Sequence, residues 1–166
     1  MKQGKHLILI GLPGSGKSTV GKALAPLLGL PLIDLDQVLE AHFSQDIPGV
    51  FARRGEAVFR RQESRLLRQA LGAPSSIIST GGGVILQEEN RRLLSENGFV
   101  IFLDRSPAEI AKNLSLSTHP TLQNMTLEEM SRIRRPLYLS CADASVCQAN
   151  VQETAAQCAA LWRLQQ

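Results

Sequence analysis

An apolar run, His6–Ile10, leads directly into Gly11-Leu-Pro-Gly14-Ser-Gly16-Lys17-Ser18, and this junction leaves the chain few ways to fold. The segment fits the pattern G-x-x-x-x-G-K-[ST], with a strand-like stretch before it and a helix-like stretch, Thr19–Leu28, after it. Such a loop turns successive backbone N–H groups inward around a phosphate chain, which a side chain at Gly14 or Gly16 would obstruct. Gly14, Ser15, Gly16, Lys17, Ser18 and Thr19 are therefore the expected contacts of a nucleoside triphosphate. Lys17 would reach the outer phosphates, the Ser18 hydroxyl would hold Mg²⁺, and the helix would offer its positive N-terminus.

The 166 residues are most simply one domain, 1–166, large enough to bury a core but too short to carry a separate substrate domain. A second substrate must then be bound by loops of the same sheet. The net charge of +3 is mild and aromatic residues make up 4%, so there is neither a basic run nor a stacking platform for nucleic acid. Anionic small molecules fit that balance better. Three cysteines, Cys141, Cys147 and Cys158, show no metal-ligand spacing and read as reduced thiols of a cytoplasmic protein. The apolar stretch after Lys5 is too short for a signal peptide and runs into the phosphate loop, and no run is long enough to span a membrane.

Further apolar runs at Pro31–Ile33, Ser76–Ser79, Phe99–Leu103 and Ala144–Cys147 alternate with helical patterns, which predicts an α/β fold with helices on both faces of a parallel sheet. Gly29 reads as the residue that stops the first helix. Ser106-Pro-Ala-Glu109 and Thr126-Leu-Glu-Glu129 read as capping boxes, the second opening a helix that runs toward Pro136. Val151–Leu164 reads as a closing amphipathic helix, and residues 114–125 as a mobile loop.

Ligands of open parallel sheets bind at the C-terminal ends of the strands. There stand Asp34-Leu-Asp36 and Thr80-Gly81-Gly82-Gly83. Asp36 either N-caps Gln37–Phe43 or works beside Asp34, one acid holding the Mg²⁺ hydration shell and the other orienting an acceptor hydroxyl. The three glycines are either a flexible connection or a backbone that must approach a ligand closely. The stretch Gly55–Leu71 reads as a helix; its Arg60, near Phe51 and Phe59, could wall a small pocket, whereas most of its other charges belong to a solvated face. Arg132, Arg134 and Arg135 form a second basic cluster, suited to a phosphoryl group or a carboxylate.

Taken together, the phosphate loop Gly11–Thr19, the Asp34/Asp36 pair, the stretch Phe51 to Phe59-Arg60, Ser79-Thr-Gly-Gly-Gly83 and Arg134-Arg-Pro-Leu-Tyr138 resemble the shikimate kinases along essentially the whole chain. The resemblance implies a three-layer α/β sandwich of the P-loop NTPase kind, similar to nucleoside monophosphate kinases, with five parallel strands, the phosphate-loop strand at the centre, and a lid at 114–125. It implies transfer of the γ-phosphoryl of ATP to a hydroxyl of shikimate, giving shikimate 3-phosphate, by a cytoplasmic monomer. Lys17, Asp36 and Arg134 would be catalytic, with Asp36 the general base. Asp36, Arg60, Gly82 and Arg134 would bind shikimate, while Ser18 and, through water, Asp34 would serve Mg²⁺. The chain departs from the family at His119-Pro-Thr, where an arginine usually precedes Pro-Leu, and at Lys112-Asn113, where an arginine usually faces the adenine. Histidine lacks the fork of donors that arginine brings to a phosphoryl group. A non-catalytic nucleotide binder and a gluconate kinase are the competing readings.

Overall fold

In the computed structural model, residues 5–113, 125–147 and 150–166 are described. Five strands, β1 (His6–Ile10), β2 (Leu32–Asp34), β3 (Ile77–Ser79), β4 (Gly98–Leu103) and β5 (Ala144–Val146), form a sheet in the order β2-β3-β1-β4-β5. Every neighbouring pair is parallel. The expected α/β architecture and the central place of the phosphate-loop strand are both present.

Among the described residues the helices are α1 (Lys17–Leu28), α2 (Leu35–Phe43), α3 (Ile47–Gly72), α4 (Glu88–Asn97), α5 (Pro107–Ala111), α6 (Leu127–Cys141) and α7 (Val151–Arg163), with a 3₁₀ turn at Val84–Leu86. They cover both faces of the sheet, which is why β1 and β4 are buried at every residue. Alternate residues feed two cores. Ile8, Ile10, Val100 and Phe102 pack with Leu67 of α3, Leu94 of α4 and Met130 and Tyr138 of α6. Leu7, Leu9, Phe99 and Ile101 pack with Val20 and Leu24 of α1 and Cys158 and Trp162 of α7. A smaller cluster of Leu39, Val50, Phe59 and Leu66 joins α2 to α3 beside the sheet.

Several boundaries follow local chemistry. Gly29 closes α1 in the left-handed conformation at φ 65°. Thr126 and Glu129 form the reciprocal capping box at the start of α6. At α5 the Ser106 side chain accepts from the Glu109 N–H, and Pro107 follows it at the first helical position. Two features depart from the reading of the sequence. The helix opened at Thr126 continues through Pro136 to Cys141, since Met130, Tyr138 and Cys141 bury one face and outweigh the lost backbone bond. The helical stretch expected from Gly55 begins earlier, at Ile47, and breaks its backbone geometry at Gly55, where φ 81° and ψ 167° are open to glycine alone. Of the loop expected at 114–125, all but Met125 lies outside the described residues, and with it His119.

Candidate active site

The C-terminal ends of β1, β2 and β3 open into one cavity of about 820 Å³, lined by the phosphate loop, α2, α3, the glycine segment and α6. Gly14 at φ 79° and Gly16 at φ 94° hold the turn of the loop in conformations unfavourable to other residues. Lys17 is buried, and its Nζ donates to the carbonyl oxygens of Gly11 at 2.8 Å and Leu12 at 2.9 Å. Burial pushes the ammonium down to about 8, partly opposed by the charge of Asp36. Ser18 donates from Oγ to Asp34 Oδ2 at 2.5 Å. These are two hard oxygen donors beside a phosphate loop, a set that suits Mg²⁺, which takes few protein ligands and completes its shell with phosphate and water.

The two aspartates divide their work in an unexpected way. Asp34, not Asp36, caps α2: its Oδ1 accepts from the N–H groups of Asp36 at 3.1 Å and Gln37 at 3.4 Å. Asp36 thereby stands in the first turn of α2 and lines the cavity. Burial raises the Asp36 carboxyl above its ordinary range, against the pull of Lys17 and Arg60 and with the repulsion of Asp34.

Arg60 donates to Glu63 Oε1 at 2.9 Å and lies 5.9 and 5.3 Å from the ring centres of Phe51 and Phe59, themselves 4.7 Å apart. The pocket wall expected from these residues is present. Arg134 is 6% exposed, and Arg60 is among the charges acting on it. The other members of its cluster point elsewhere: Arg135 pairs with Asp104 at 2.8 Å, and Arg132 is exposed on α6.

The glycine segment is explained by crowding rather than by φ, since none of the three glycines has a positive value. A Cβ on Gly81 would stand 2.8 Å from Glu63 Oε2 and 3.0 Å from Asp36 Oδ1, and one on Gly82 would stand 2.6 Å from Pro13 Cδ. A Cβ on Gly83 would collide with the Arg60 guanidinium. Side chains that line the cavity thus crowd Gly81 and Gly83, and the Pro13 ring crowds Gly82, so a Cβ at any of the three would displace a neighbour.

Two residues were missed from the sequence. Glu63 is 1% exposed, its Oε2 has no hydrogen-bond partner among the described residues, and burial raises its carboxyl despite Arg60. Its position three residues after Arg60, on the same helical face, was the available signal. Tyr138 donates to the Gly82 carbonyl at 2.6 Å.

The sequence profile described as shikimate kinase matches residues 13–162. The chain belongs to the shikimate kinase family. A shikimate kinase of Paracidovorax citrulli is 45% identical over 141 residues, covering 81% of this chain and 77% of that one. One of Symbiobacterium thermophilum is 37% identical over 149 residues, covering 86% of each. Among solved structures, the Acinetobacter baumannii shikimate kinase, in complex with shikimate, superposes with a TM-score of 0.89 at 30% identity, covering 96% of this chain and 93% of that one. A gluconokinase of Sinorhizobium meliloti, at 15% identity and a TM-score of 0.58, shares the shikimate kinase fold alone.

Proposed function

We infer that the chain is an ATP-dependent shikimate kinase, passing the γ-phosphoryl of ATP to the 3-hydroxyl of shikimate. The observation that carries this reading is one cavity lined by the phosphate loop together with Asp36, Arg60 and Arg134. Arg60 and Arg134 are two guanidiniums in a partly buried space, an arrangement relieved by a carboxylate between them. Gly82 would offer backbone to the acceptor, and Asp36 would accept the proton of the attacking hydroxyl.

Lys17 and the N–H groups of Gly14–Thr19 would hold the phosphates, so that the acceptor oxygen attacks in line. Most of the acceleration then comes from alignment and charge neutralisation rather than from proton removal. Mg²⁺, where bound by Ser18 and through water by Asp34, would neutralise charge on the phosphate oxygens. Catalysis needs one domain and one copy of the chain, and the enzyme would work in the cytoplasm; among the described residues no helix is long and apolar enough to cross a membrane.

The test is ADP release from Mg·ATP with shikimate, with gluconate as the control acid. Shikimate-dependent turnover is expected. Tight Mg·ATP binding without transfer to either acid would instead indicate a nucleotide binder, and His119→Arg would show whether the residue at that position is the cause.

A further inference from the structure

Tyr138 is fully buried, and its ring stacks on Phe102 of β4 with centroids 4.9 Å apart and planes 25° from parallel. That packing needs only a phenyl ring. A buried hydroxyl costs free energy unless it is bonded, so the bond it makes says what the oxygen is for. It donates to the Gly82 carbonyl at 2.6 Å, across 56 residues of chain. Arg134, one helical turn earlier on α6, acts on the same hydroxyl. On its other side Gly82 backs onto Pro13 of the phosphate loop, leaving no room for a Cβ.

A run of three glycines has no side chains with which to anchor itself, and its intrinsic freedom is the largest of any residue. Among the described residues its held points include the Thr80 bonds to Leu9, the turn bonds from Val84 to Gly81 and from Leu86 to Gly83, and the Tyr138 bond. The Tyr138 bond alone among these joins the segment to the helix that carries Arg134. It fixes the peptide that follows Gly82, within a segment that lines the cavity.

We propose that Tyr138 is a positioning residue for the acceptor: its hydroxyl ties Gly82 to α6, so that the glycine segment and Arg134 keep one mutual geometry on the two sides of the acceptor cavity. This rests on the reading of the cavity as a shikimate site. Tyr138 touches no reacting atom, and its effect is on how well the acceptor fits. Contacts made equally in the bound and transition states change KM and leave kcat nearly alone.

The test uses Tyr138→Phe, which keeps the ring, and Phe102→Leu, which loosens the stack and keeps the hydroxyl. Shikimate and Mg·ATP are titrated separately by calorimetry, and steady-state rates and melting temperatures are measured for both variants. Tyr138→Phe is expected to raise the Kd and KM for shikimate about five- to tenfold, the effect of losing roughly one buried hydrogen bond. Its kcat and Mg·ATP affinity should stay within about twofold of wild type. Phe102→Leu is expected to lower the melting temperature at least as far, with shikimate affinity retained.

Equal shikimate binding by Tyr138→Phe and wild type overturns the role. So does a matching loss of shikimate affinity in Phe102→Leu, or a parallel loss of Mg·ATP affinity in Tyr138→Phe, since either marks general loosening. A wild-type protein that binds no shikimate overturns the functional reading itself, and the role with it.

Discussion

Lys17 and Asp36 show how the fold changes the chemistry of single residues. Burial brings the Lys17 ammonium to about 8, far below a lysine in water. A polyanion beside it would favour the charged form and raise that value again. Binding of Mg·ATP near pH 8 should therefore take up roughly half a proton at this group, and almost none near pH 6.5, where Lys17 is already charged. Calorimetry in buffers of different ionisation enthalpy measures this uptake, and Lys17→Ala should abolish both it and phosphoryl transfer. Uptake that does not change between the two pH values would overturn the assignment. Asp36 moves in the opposite sense, since burial raises its carboxyl. If its carboxylate is the form that works, kcat/KM for shikimate should fall on the acid side at a pH above the ordinary carboxylate value of about 4, and Asp36→Asn should remove that limb. A limb at the ordinary value would show that Asp36 is not the titrating group.

Asp34 belongs to the element scale, because one side chain serves a helix and a site together. Its Oδ1 caps α2 and its Oδ2 receives the Ser18 hydroxyl. Two substitutions separate these tasks. Asparagine caps a helix about as well as aspartate, whereas alanine does not, at a cost of about 1 kcal/mol. Asp34→Asn should keep its urea midpoint and require more Mg²⁺ for half-maximal turnover. Asp34→Ala should show the same Mg²⁺ requirement together with the lost stability. Equal midpoints for the two variants would mean that the cap contributes nothing. The same division frees Asp36 for the cavity, which a reading of helix starts alone assigns the other way round.

At the scale of the whole molecule, the start of β1 is joined to the end of α3 and to the residue before β3 through His6, which is fully buried. Its Nε2 lies 3.1 Å from the Leu71 carbonyl, which can only accept, so Nε2 carries the proton and Nδ1 accepts from the Ser76 hydroxyl at 2.9 Å. Burial lowers its pKa, the bond to the Leu71 carbonyl opposes that shift, and the charge of Lys5 adds to it. The folded value is below the unfolded one, so the unfolded chain takes up the proton first. Stability is therefore full above about pH 6.5 and declines as pH falls from there through the lowered folded value. Urea midpoints at pH 7 and pH 5 should differ more for the wild type than for His6→Asn. An equal difference in both would place the acid sensitivity elsewhere.

The parts of this protein that depend on neighbouring residues are legible in the order of its amino acids. Strand and helix alternation, the phosphate loop and the caps at Gly29 and Thr126 are all local matters of φ, hydrogen bonding and hydrophobic period, and they were readable as such. Family membership was readable too, because its motifs are short and ordered along the chain. The tertiary structure decided what depends on distance in space. It made Asp34 the cap and turned Asp36 into the cavity. It carried α6 through Pro136, set Glu63 beside Arg60 rather than in solvent, and replaced the choice between flexibility and close approach at Gly81–Gly83 with specific collisions. Each of these outcomes rests on burial against residues far away in the chain, and burial sets both which backbone conformations are worth their cost and which side chains hold a charge.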